Sequence, residues 1–416
     1  MASLGLEPLP APHEELVEFI ANNADKPMEE IMAPYRKYEA QLRNTFAQDR
    51  QNPALNDPMI NVLPLFTSKT EMITTRARNL DTETQKEKDS YIMALPPDKR
   101  RAHGSPATVG SLKEFQKNFS IFSEGSLADM DWSNVVAAGS SVVNCLVPVP
   151  AEFNTTKRKL REYYHEKFCP ASDVDLFLYG LTHEQAIEKI KQIEKAIRDA
   201  ILTEVTVVRT KYALTIASQY PTRHVQVVLR VYKSISEILT GFDIDAAGGA
   251  YNGNQVYVTP RALGSFITQI NCIDLSRRSP SYENRLSKYS HRNFEVYWPE
   301  LDRSRIDPTI YERSFQRTLG LARLLVLERL PTSTARETYL NKRRQERGRP
   351  AFHRYRHRLF GNIKDNHEDE VADWVDESEV SNYHTFTVPY GEKLVRPNRP
   401  CLNVRSLKPA DSMPRR

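Results

Sequence analysis

The stretch "CPASDVDLFLYGLTHEQ" at residues 169–185 decides which fold the sequence predicts. Apolar residues occupy every second position of 174–178, which is typical of a strand with one buried face. Asp173 and Asp175 are two residues apart, so their side chains share the opposite face. Two neighbouring carboxylates on a half-buried strand repel each other and are costly to desolvate. The pattern therefore predicts a counter-charge here, and a divalent metal such as Mg²⁺ is a common one.

The segments on both sides of this strand complete the pattern. Downstream, residues 182–201 have apolar residues at helical spacing, and Thr182 with Gln185 has the spacing of a capping box. Upstream, "NVVAAGSS" at 134–141 predicts a short strand that ends at Gly139 and Ser140. A glycine at such a bend lets the backbone approach a phosphate, and the adjacent amides and hydroxyl can bind its oxygens.

A strand ending in Gly-Ser, followed by a strand with Asp-x-Asp, resembles the nucleotidyltransferase superfamily, the polymerase-beta-like fold. The resemblance implies an α+β fold, a nucleotidyltransferase-like mixed sheet with flanking helices, here with helical additions at the N- and C-terminal ends. It implies that Gly139 and Ser140 hold the phosphates of a nucleoside triphosphate. It also implies that Asp173 and Asp175 bind Mg²⁺ and take part in nucleotidyl transfer to an acceptor.

Two features depart from the pattern of that superfamily. The spacer between the two motifs is longer than usual, and the strand predicted at 224–232 offers Gln226 where a third carboxylate is expected. Asp243 and Asp245, in "GFDIDAAGG", are the candidates for a third catalytic acid. Without one of them, the alternative is a catalytically inactive interaction module.

A second resemblance covers most of the chain. The phrases "DVDLFLYGL", "SQYPTRHVQVVLRVYKSISEILTGFDIDAAGGAYNGNQVYVTPRAL" and "DLSRRSPSYENRLSKYSHRNFEV" resemble the N-terminal region of large fungal ankyrin-repeat proteins, over about residues 14–390. The repeats that follow in such proteins are not found in this sequence. Because ankyrin repeats are partner-binding surfaces, this resemblance implies protein partners and a scaffold role.

A basic helix predicted at 277–294 is a candidate substrate contact. Ser279 with Pro280 is typical of a helix start, and Arg285, Lys288 and Arg292 would share one face. Such a face could meet a nucleoside triphosphate. The alternative is an amphipathic surface helix whose tyrosines lie on the core.

The organisation predicted along the chain has four parts. They are a helical N-terminal region at 1–105, a nucleotidyltransferase-like core at 106–300, a helical segment at 301–360, and an acidic linker with a disordered basic tail at 361–416. In the third part, Thr334 with Glu337 predicts a second capping box.

Charge and cysteine content limit the class of protein. Residues 391–416 carry seven Lys/Arg and two acids, which accounts for the whole net charge of +5. A neutral body argues against a dedicated nucleic-acid-binding domain. The basic block at 342–358 could still bind nucleic acid, although the acidic block at 365–379 favours two solvated segments. Four scattered cysteines and the absence of a long apolar run predict a cytoplasmic or nuclear protein without a membrane span.

Overall fold

The structure is a computed structural model that describes residues 6–313 and 315–350, apart from the side chain of Gln316. The predicted acidic linker and basic tail at 361–416 lie outside the described residues, as do the acidic block at 365–379 and the end of the basic block at 342–358. Within the described ranges, no helix is long and apolar enough to cross a membrane.

The strands are short and are spread over most of the described chain. They are β1 (Leu63–Pro64), β2 (Tyr91–Ile92), β3 (Val135–Ala138), β4 (Val174–Tyr179), β5 (Thr206–Arg209), β6 (Ala213–Ala217), β7 (Val225–Tyr232), β8 (Gly249–Tyr251), β9 (Val256–Val258), β10 (Ile270–Cys272) and β11 (Glu295–Tyr297).

The α-helices lie before, between and after these strands. They are α1 (Leu16–Asn22), α2 (Met28–Gln48), α3 (Gln85–Asp89), α4 (Leu112–Phe122), α5 (Ser140–Leu146), α6 (Lys157–Glu162), α7 (His183–Ala200), α8 (Ile235–Thr240), α9 (Pro260–Thr268), α10 (Tyr282–Ser290), α11 (Ala322–Arg329) and α12 (Ser333–Glu346). A π-helical turn spans Tyr163–Phe168, and 3₁₀ turns lie at His13–Glu15, Pro53–Asn56, Thr70–Met72, Pro97–Lys99, Arg303–Arg305, Pro308–Tyr311 and Phe315–Arg317.

The strands form a large mixed sheet, so the chain is α+β, as predicted. Among the described residues the order of this sheet is β1-β9-β8-β3-β4-β7-β6-β5, and a smaller sheet has the order β10-β11-β2. At the centre of the large sheet, β3 runs antiparallel to β4, and β4 runs parallel to β7. The crossover from β4 to β7 contains α7 and the β5–β6 hairpin.

Apolar residues cover both faces of the central strands. On one face, Ala186, Ile190 and Ile193 of α7 are at most 1% exposed and belong to the main core. Thr182 and Gln185 form the predicted capping box at the start of this helix. On the other face, a second cluster joins the central strands to α8. On this second face of β7, Val228 and Tyr232 are buried, whereas Gln226 and Arg230 are half-buried.

Residues 1–105 were predicted to be a helical N-terminal region, and in the structure they also supply two short strands. The strand β1 pairs with β9, and β2 pairs with β11. Glu39 of α2 forms a buried ion pair with Arg261 of α9, with 3.0 Å between the oxygen and the nitrogen. This region therefore packs directly against the predicted core.

The predicted start of the last helix is wrong by two residues. The hydroxyl of Thr332 caps α12 by accepting a hydrogen bond from the Ala335 amide. Thr332 has extended backbone angles, and the helix begins at Ser333. Thr334 is therefore already inside the helix, where it cannot act as the cap.

Candidate functional site

The two aspartates lie at the start of the central strand β4 and share one face, as predicted. Val174 and Leu176 are fully buried in the main core, whereas Asp173 and Asp175, which alternate with them, are half-buried. Among the described residues, neither aspartate forms an ion pair with a lysine or an arginine. Across the part of the chain that the structure describes, the two carboxylates thus have no direct lysine or arginine ion-pair partner.

The neighbouring strand places a neutral amide beside this pair. In the parallel register of β4 and β7, Asp175 is opposite Gln226. The Nε2 atom of Gln226 donates a hydrogen bond to Oδ2 of Asp173 at 2.9 Å. The third position around the pair is therefore occupied by an amide in place of a carboxylate.

The bend at Gly139 and Ser140 lies next to the same strand. Ala137 of β3 pairs with Leu176 in an antiparallel register, so the end of β3 lies beside the start of β4. Gly139 has φ 79° and ψ −136°, a backbone conformation that is essentially restricted to glycine. The hydroxyl of Ser140 lies 3.4 Å from that of Ser172, the residue before Asp173. The two motifs of the sequence are thus brought together.

Burial raises the pKa of Asp175 to about 7, with a further contribution from the charge of Asp173. The charge of Lys288 on α10 acts in the opposite direction and lowers this pKa. A carboxyl that titrates near neutral pH is one that a cation would stabilise in its ionised form.

An aromatic residue covers the bend. A Cβ atom added to Gly139 would lie 3.8 Å from the ring of Phe242, and this ring is 5.6 Å from that of Phe177 on β4. The loop that contains Phe242 also carries Asp243 and Asp245.

Both acids predicted as a third catalytic carboxylate are bound by arginines. Arg285 and the hydroxyl of Ser279 hydrogen-bond to Asp243. Asp245 accepts hydrogen bonds from Arg261 at 2.8 Å and from Arg36 at 3.0 Å. Although burial alone would raise its pKa, these two guanidinium groups lower the pKa of Asp245 to about 2.

In this structure Asp243 and Asp245 are held in ion pairs with arginines, and a joint catalytic role for all four aspartates stays a prediction. In the described residues, no group of three or more His, Cys, Asp or Glu side chains could hold a metal ion together. The arginines that bind Asp243 and Asp245 give these two acids a structural role.

The three basic residues predicted to share a substrate-facing side of α10 have different surroundings. Arg285 is engaged by Asp243, and Lys288 acts on the charge of Asp175. Arg292 is 1% exposed and its guanidinium lies 5.5 Å from the centre of the Tyr289 ring. The prediction that Arg292 belongs to a substrate-facing basic side of α10 is therefore wrong. The tyrosines of α10 lie on the core, as the amphipathic interpretation predicts, because Tyr282 and Tyr289 are buried. The polar residues Glu283, Asn284 and Ser287 are buried as well.

The described part of the basic block at 342–358 is partly neutralised. Arg343 and Arg347 both bind Glu312, at 2.8 Å and 2.6 Å. Each such ion pair reduces the positive charge that a nucleic-acid backbone would meet. Nucleic-acid binding through this block stays a prediction.

Two shallow cavities lie away from the aspartate pair. Their volumes are about 440 and 360 Å³, and both are lined by Asp131 and Ser133. They also contact Asn134, just before β3, and Tyr179, at the end of β4. They are therefore at the opposite end of β4 from Asp173.

The sequence analysis missed two residues that hold the site in place. Asn144 donates a hydrogen bond to the hydroxyl of Ser172 at 3.1 Å, and Arg223 donates to the backbone carbonyl of Ser172 at 2.7 Å. A polar residue at a helical position that should face the core is a signal that could have identified Asn144. For Arg223, the signal is a cation immediately before an apolar strand.

The comparisons with known proteins match the part of the chain that holds the aspartate pair. A profile of a family described as "Gabija anti-defense 2 family protein" matches residues 113–269, less than half of the chain. An uncharacterized protein of Acanthamoeba polyphaga mimivirus is 29% identical over 215 residues, which are 48% of this chain and 43% of that protein. The chain thus matches less than half the length of this curated relative.

The matched family segment runs from α4 to the end of α9. It includes the Gly139 bend and the aspartates of β4, and it ends before α10. The descriptions of both matches mention neither nucleotidyl transfer nor ankyrin repeats, and neither names a fungus. The two resemblances noted from the sequence therefore stay predictions.

Proposed function

We propose that this chain is a nucleotidyltransferase-like protein that binds a nucleoside triphosphate with Mg²⁺ and transfers the nucleotide to an acceptor. One observation carries the proposal: the antiparallel pairing of β3 with β4 brings the Gly139–Ser140 bend beside Asp173 and Asp175. A phosphate-binding bend and a pair of metal-binding carboxylates are both needed at one place for this chemistry.

The aspartate pair fits a magnesium ion. Mg²⁺ in phosphate-transfer sites is held by one or two carboxylates together with substrate phosphates and water. Asp173 and Asp175 supply two half-buried carboxylates, and the pKa of Asp175 is raised by burial and by Asp173. When bound, the metal would neutralise charge on the phosphates during transfer.

The remaining residues would bind and orient the substrate. The backbone at Gly139 lacks a Cβ that would shield its amides, and the Ser140 hydroxyl could donate to a phosphate oxygen. Lys288 adds a positive charge on the side of Asp175. Gln226 orients Asp173 through its hydrogen bond.

A second candidate function is supported by the same geometry. Gln226 replaces a carboxylate beside the pair, while Asp243 and Asp245 are held by arginines. An amide is a poor substitute for a carboxylate on Mg²⁺. We propose as the alternative that the chain keeps the fold without the catalysis and acts by binding a protein partner. The similarity to a family named for anti-defense supports an anti-defense role for either form.

A ligand panel separates the two candidates. Thermal unfolding would be followed with each nucleoside triphosphate in the presence of Mg²⁺ or Mn²⁺, together with transfer of an α-phosphate-labelled nucleotide. The first candidate predicts a stabilisation of about 2.7 kcal/mol at a hundredfold excess of ligand over Kd. The double variant Asp173→Asn/Asp175→Asn should abolish both the shift and the transfer.

A matched control uses acids of the same type outside the pair. Asp129 is exposed and precedes β3, so Asp129→Asn should keep the full ligand response. A wild-type chain that gives no shift with any nucleotide and metal would contradict the first candidate and favour the second. A shift that persists in the double variant would remove the aspartate pair from the site.

A further inference from the structure

A buried arginine precedes the strand next to the aspartate pair. Arg223 is 5% exposed and lies two residues before β7. Its guanidinium plane lies 4.0 Å from the centre of the Phe122 ring. Burial of a cation is costly unless its donors are satisfied, so the partners of this group indicate why it is there.

Within the described ranges, the oxygen partners of Arg223 are all backbone carbonyls. Its Nε donates to Phe122 at 2.8 Å, and one terminal nitrogen donates to Tyr164 at 2.8 Å. The other terminal nitrogen donates to Cys169, Pro170 and Ser172, at 2.8, 3.2 and 2.7 Å. In the described residues, no carboxylate forms an ion pair with this guanidinium.

These carbonyls belong to chain segments that converge on the site. Phe122 is the last residue of α4, and Tyr164 lies in the π-helical turn Tyr163–Phe168. The carbonyls near a helix end carry partial negative charge and lack partners within the helix. Residues 169–172 form the connection that leads directly into Asp173. One planar guanidinium can reach all of them at once, with two of the three carbonyls at one terminal nitrogen sharing an N–H, which an ammonium group with three donors cannot do.

We infer that Arg223 is a positioning residue that fixes Asp173 and Asp175 relative to the Gly139–Ser140 bend. The inference rests on the proposed function for the meaning of the pair as a ligand site. Arg223 acts through the 169–172 connection. The hydroxyl of Ser172, the last residue of this connection, also contacts Ser140 and Asn144. Arg223 itself does not touch the reacting groups.

The test compares two arginines of the same kind. Arg76 also donates hydrogen bonds to backbone carbonyls at a helix end. These carbonyls belong to Ile20 in α1 and to Asn23 and Lys26 after it, and none of the three lies in a segment of the site. The variants Arg223→Lys and Arg76→Lys each keep the charge but have too few donors for the original geometry. Both are measured at a temperature where they remain fully folded.

The first readout needs no ligand. Amide hydrogen exchange should rise roughly tenfold in residues 169–176 of Arg223→Lys, while Arg76→Lys leaves this segment unchanged. Unchanged exchange in Arg223→Lys would overturn the inference, and so would an equal rise in Arg76→Lys, because the effect would then be general destabilisation.

The second readout is the affinity for Mn²⁺ alone, measured by titration. Arg223→Lys should weaken it roughly tenfold or more, because residues that hold metal ligands in position affect metal affinity by that amount, while Arg76→Lys should not. Full Mn²⁺ affinity in Arg223→Lys would overturn the positioning role. A wild type that binds no Mn²⁺ would instead contradict the proposed function, and the exchange readout would then decide the inference about positioning by itself.

Discussion

Gln226 donates a side-chain hydrogen bond to Asp173 across two parallel strands, with 2.9 Å between Nε2 and Oδ2. This amide is directly opposite Asp175 in the register of β4 and β7. The position next to a carboxylate pair is where one more acid would have the largest effect on metal affinity. The identity of residue 226 therefore distinguishes the catalytic from the non-catalytic interpretation.

The variant Gln226→Glu should strengthen metal binding. It replaces a hydrogen-bond donor with a third negative charge, so without metal the three carboxylates repel one another and the free energy of unfolding falls by about 1–3 kcal/mol. Addition of Mn²⁺ should recover this loss, and the metal-induced shift in Tm should exceed that of the wild type. Thermal unfolding with and without Mn²⁺ checks both effects.

Gln226→Met is the control for this variant, because it removes the hydrogen bond without adding a charge. It should lower stability without increasing the metal response. Equal metal responses in Gln226→Glu and Gln226→Met would show that residue 226 does not face the metal-binding position.

The stability of the chain without metal should decrease as pH rises from about 4 to 7. Burial, with Asp173, raises the pKa of Asp175 to about 7, whereas an unfolded aspartate titrates near 3.9. In this window the folded state binds more protons than the unfolded state, so rising pH favours unfolding. Asp175→Asn removes this titrating carboxyl and should be more stable than the wild type by up to about 4 kcal/mol at pH 8, with little difference at pH 4.

Denaturant unfolding of both proteins across this pH range measures the difference. The exposed Asp129→Asn variant provides the baseline for a change of aspartate to asparagine. A difference between wild type and Asp175→Asn that stays constant with pH would contradict the raised pKa.

The variant Gly139→Ala should lose stability for reasons of backbone conformation. The added methyl group would meet only ordinary contacts with Phe242, the nearest at 3.8 Å, so the cost of about 1–3 kcal/mol comes from φ 79° and ψ −136°. The response to nucleoside triphosphate and metal should fall as well, because the bend would shift away from Asp173. Chemical denaturation and the ligand-induced shift in Tm are the two measurements.

Gly104→Ala is a matched control, since Gly104 has the same φ of 79° in an exposed turn and no heavy atom within 4 Å of its added Cβ. It should lose some stability but keep the ligand response. If both variants keep the full response, the Gly139 bend does not bind the substrate.

The buried carboxylate of α2 should be essential for stability. Burial alone would raise the pKa of Glu39, but the guanidinium groups of Arg261 and Arg277 hold this pKa below its usual range. Glu39→Gln leaves both guanidinium groups without this charge and should cost about 3–5 kcal/mol in the free energy of unfolding. Glu30→Gln, at an exposed position of the same helix, should stay within about 0.5 kcal/mol of the wild type. Equal effects would show that the buried charge is dispensable.

The elements around the aspartate pair were predictable because their signals are local. The alternation in β4 and the capping box of α7 each lie within a few residues, and short-range geometry is enough to interpret them. The same holds for the β8–β9 hairpin with Asn252 and Gly253 in its turn.

The roles of the other acids were not predictable, because their partners are distant in the sequence. Asp243 is bound by Arg285, which is 42 residues away, and Asp245 by Arg36, which is 209 residues away. Spacing along one strand or helix gives no information on such pairs. In the same way, the two-residue strands β1 and β2 are too short to produce an alternating pattern, so the first 105 residues were predicted as helical.

The ion pair between Glu39 and Arg261 also sets a limit on how the chain can be cut for expression. A fragment restricted to the family-matched residues 113–269 would contain Arg261 and Asp245 but would lack Glu39 and Arg36. In such a fragment, Arg261 and Asp245 would each lose one charged partner. The fragment would also lose β1, the strand that pairs with β9. Truncation at the borders of sequence similarity would thus remove part of the scaffold that supports the aspartates, and a soluble inactive fragment would say nothing about the activity of the intact protein.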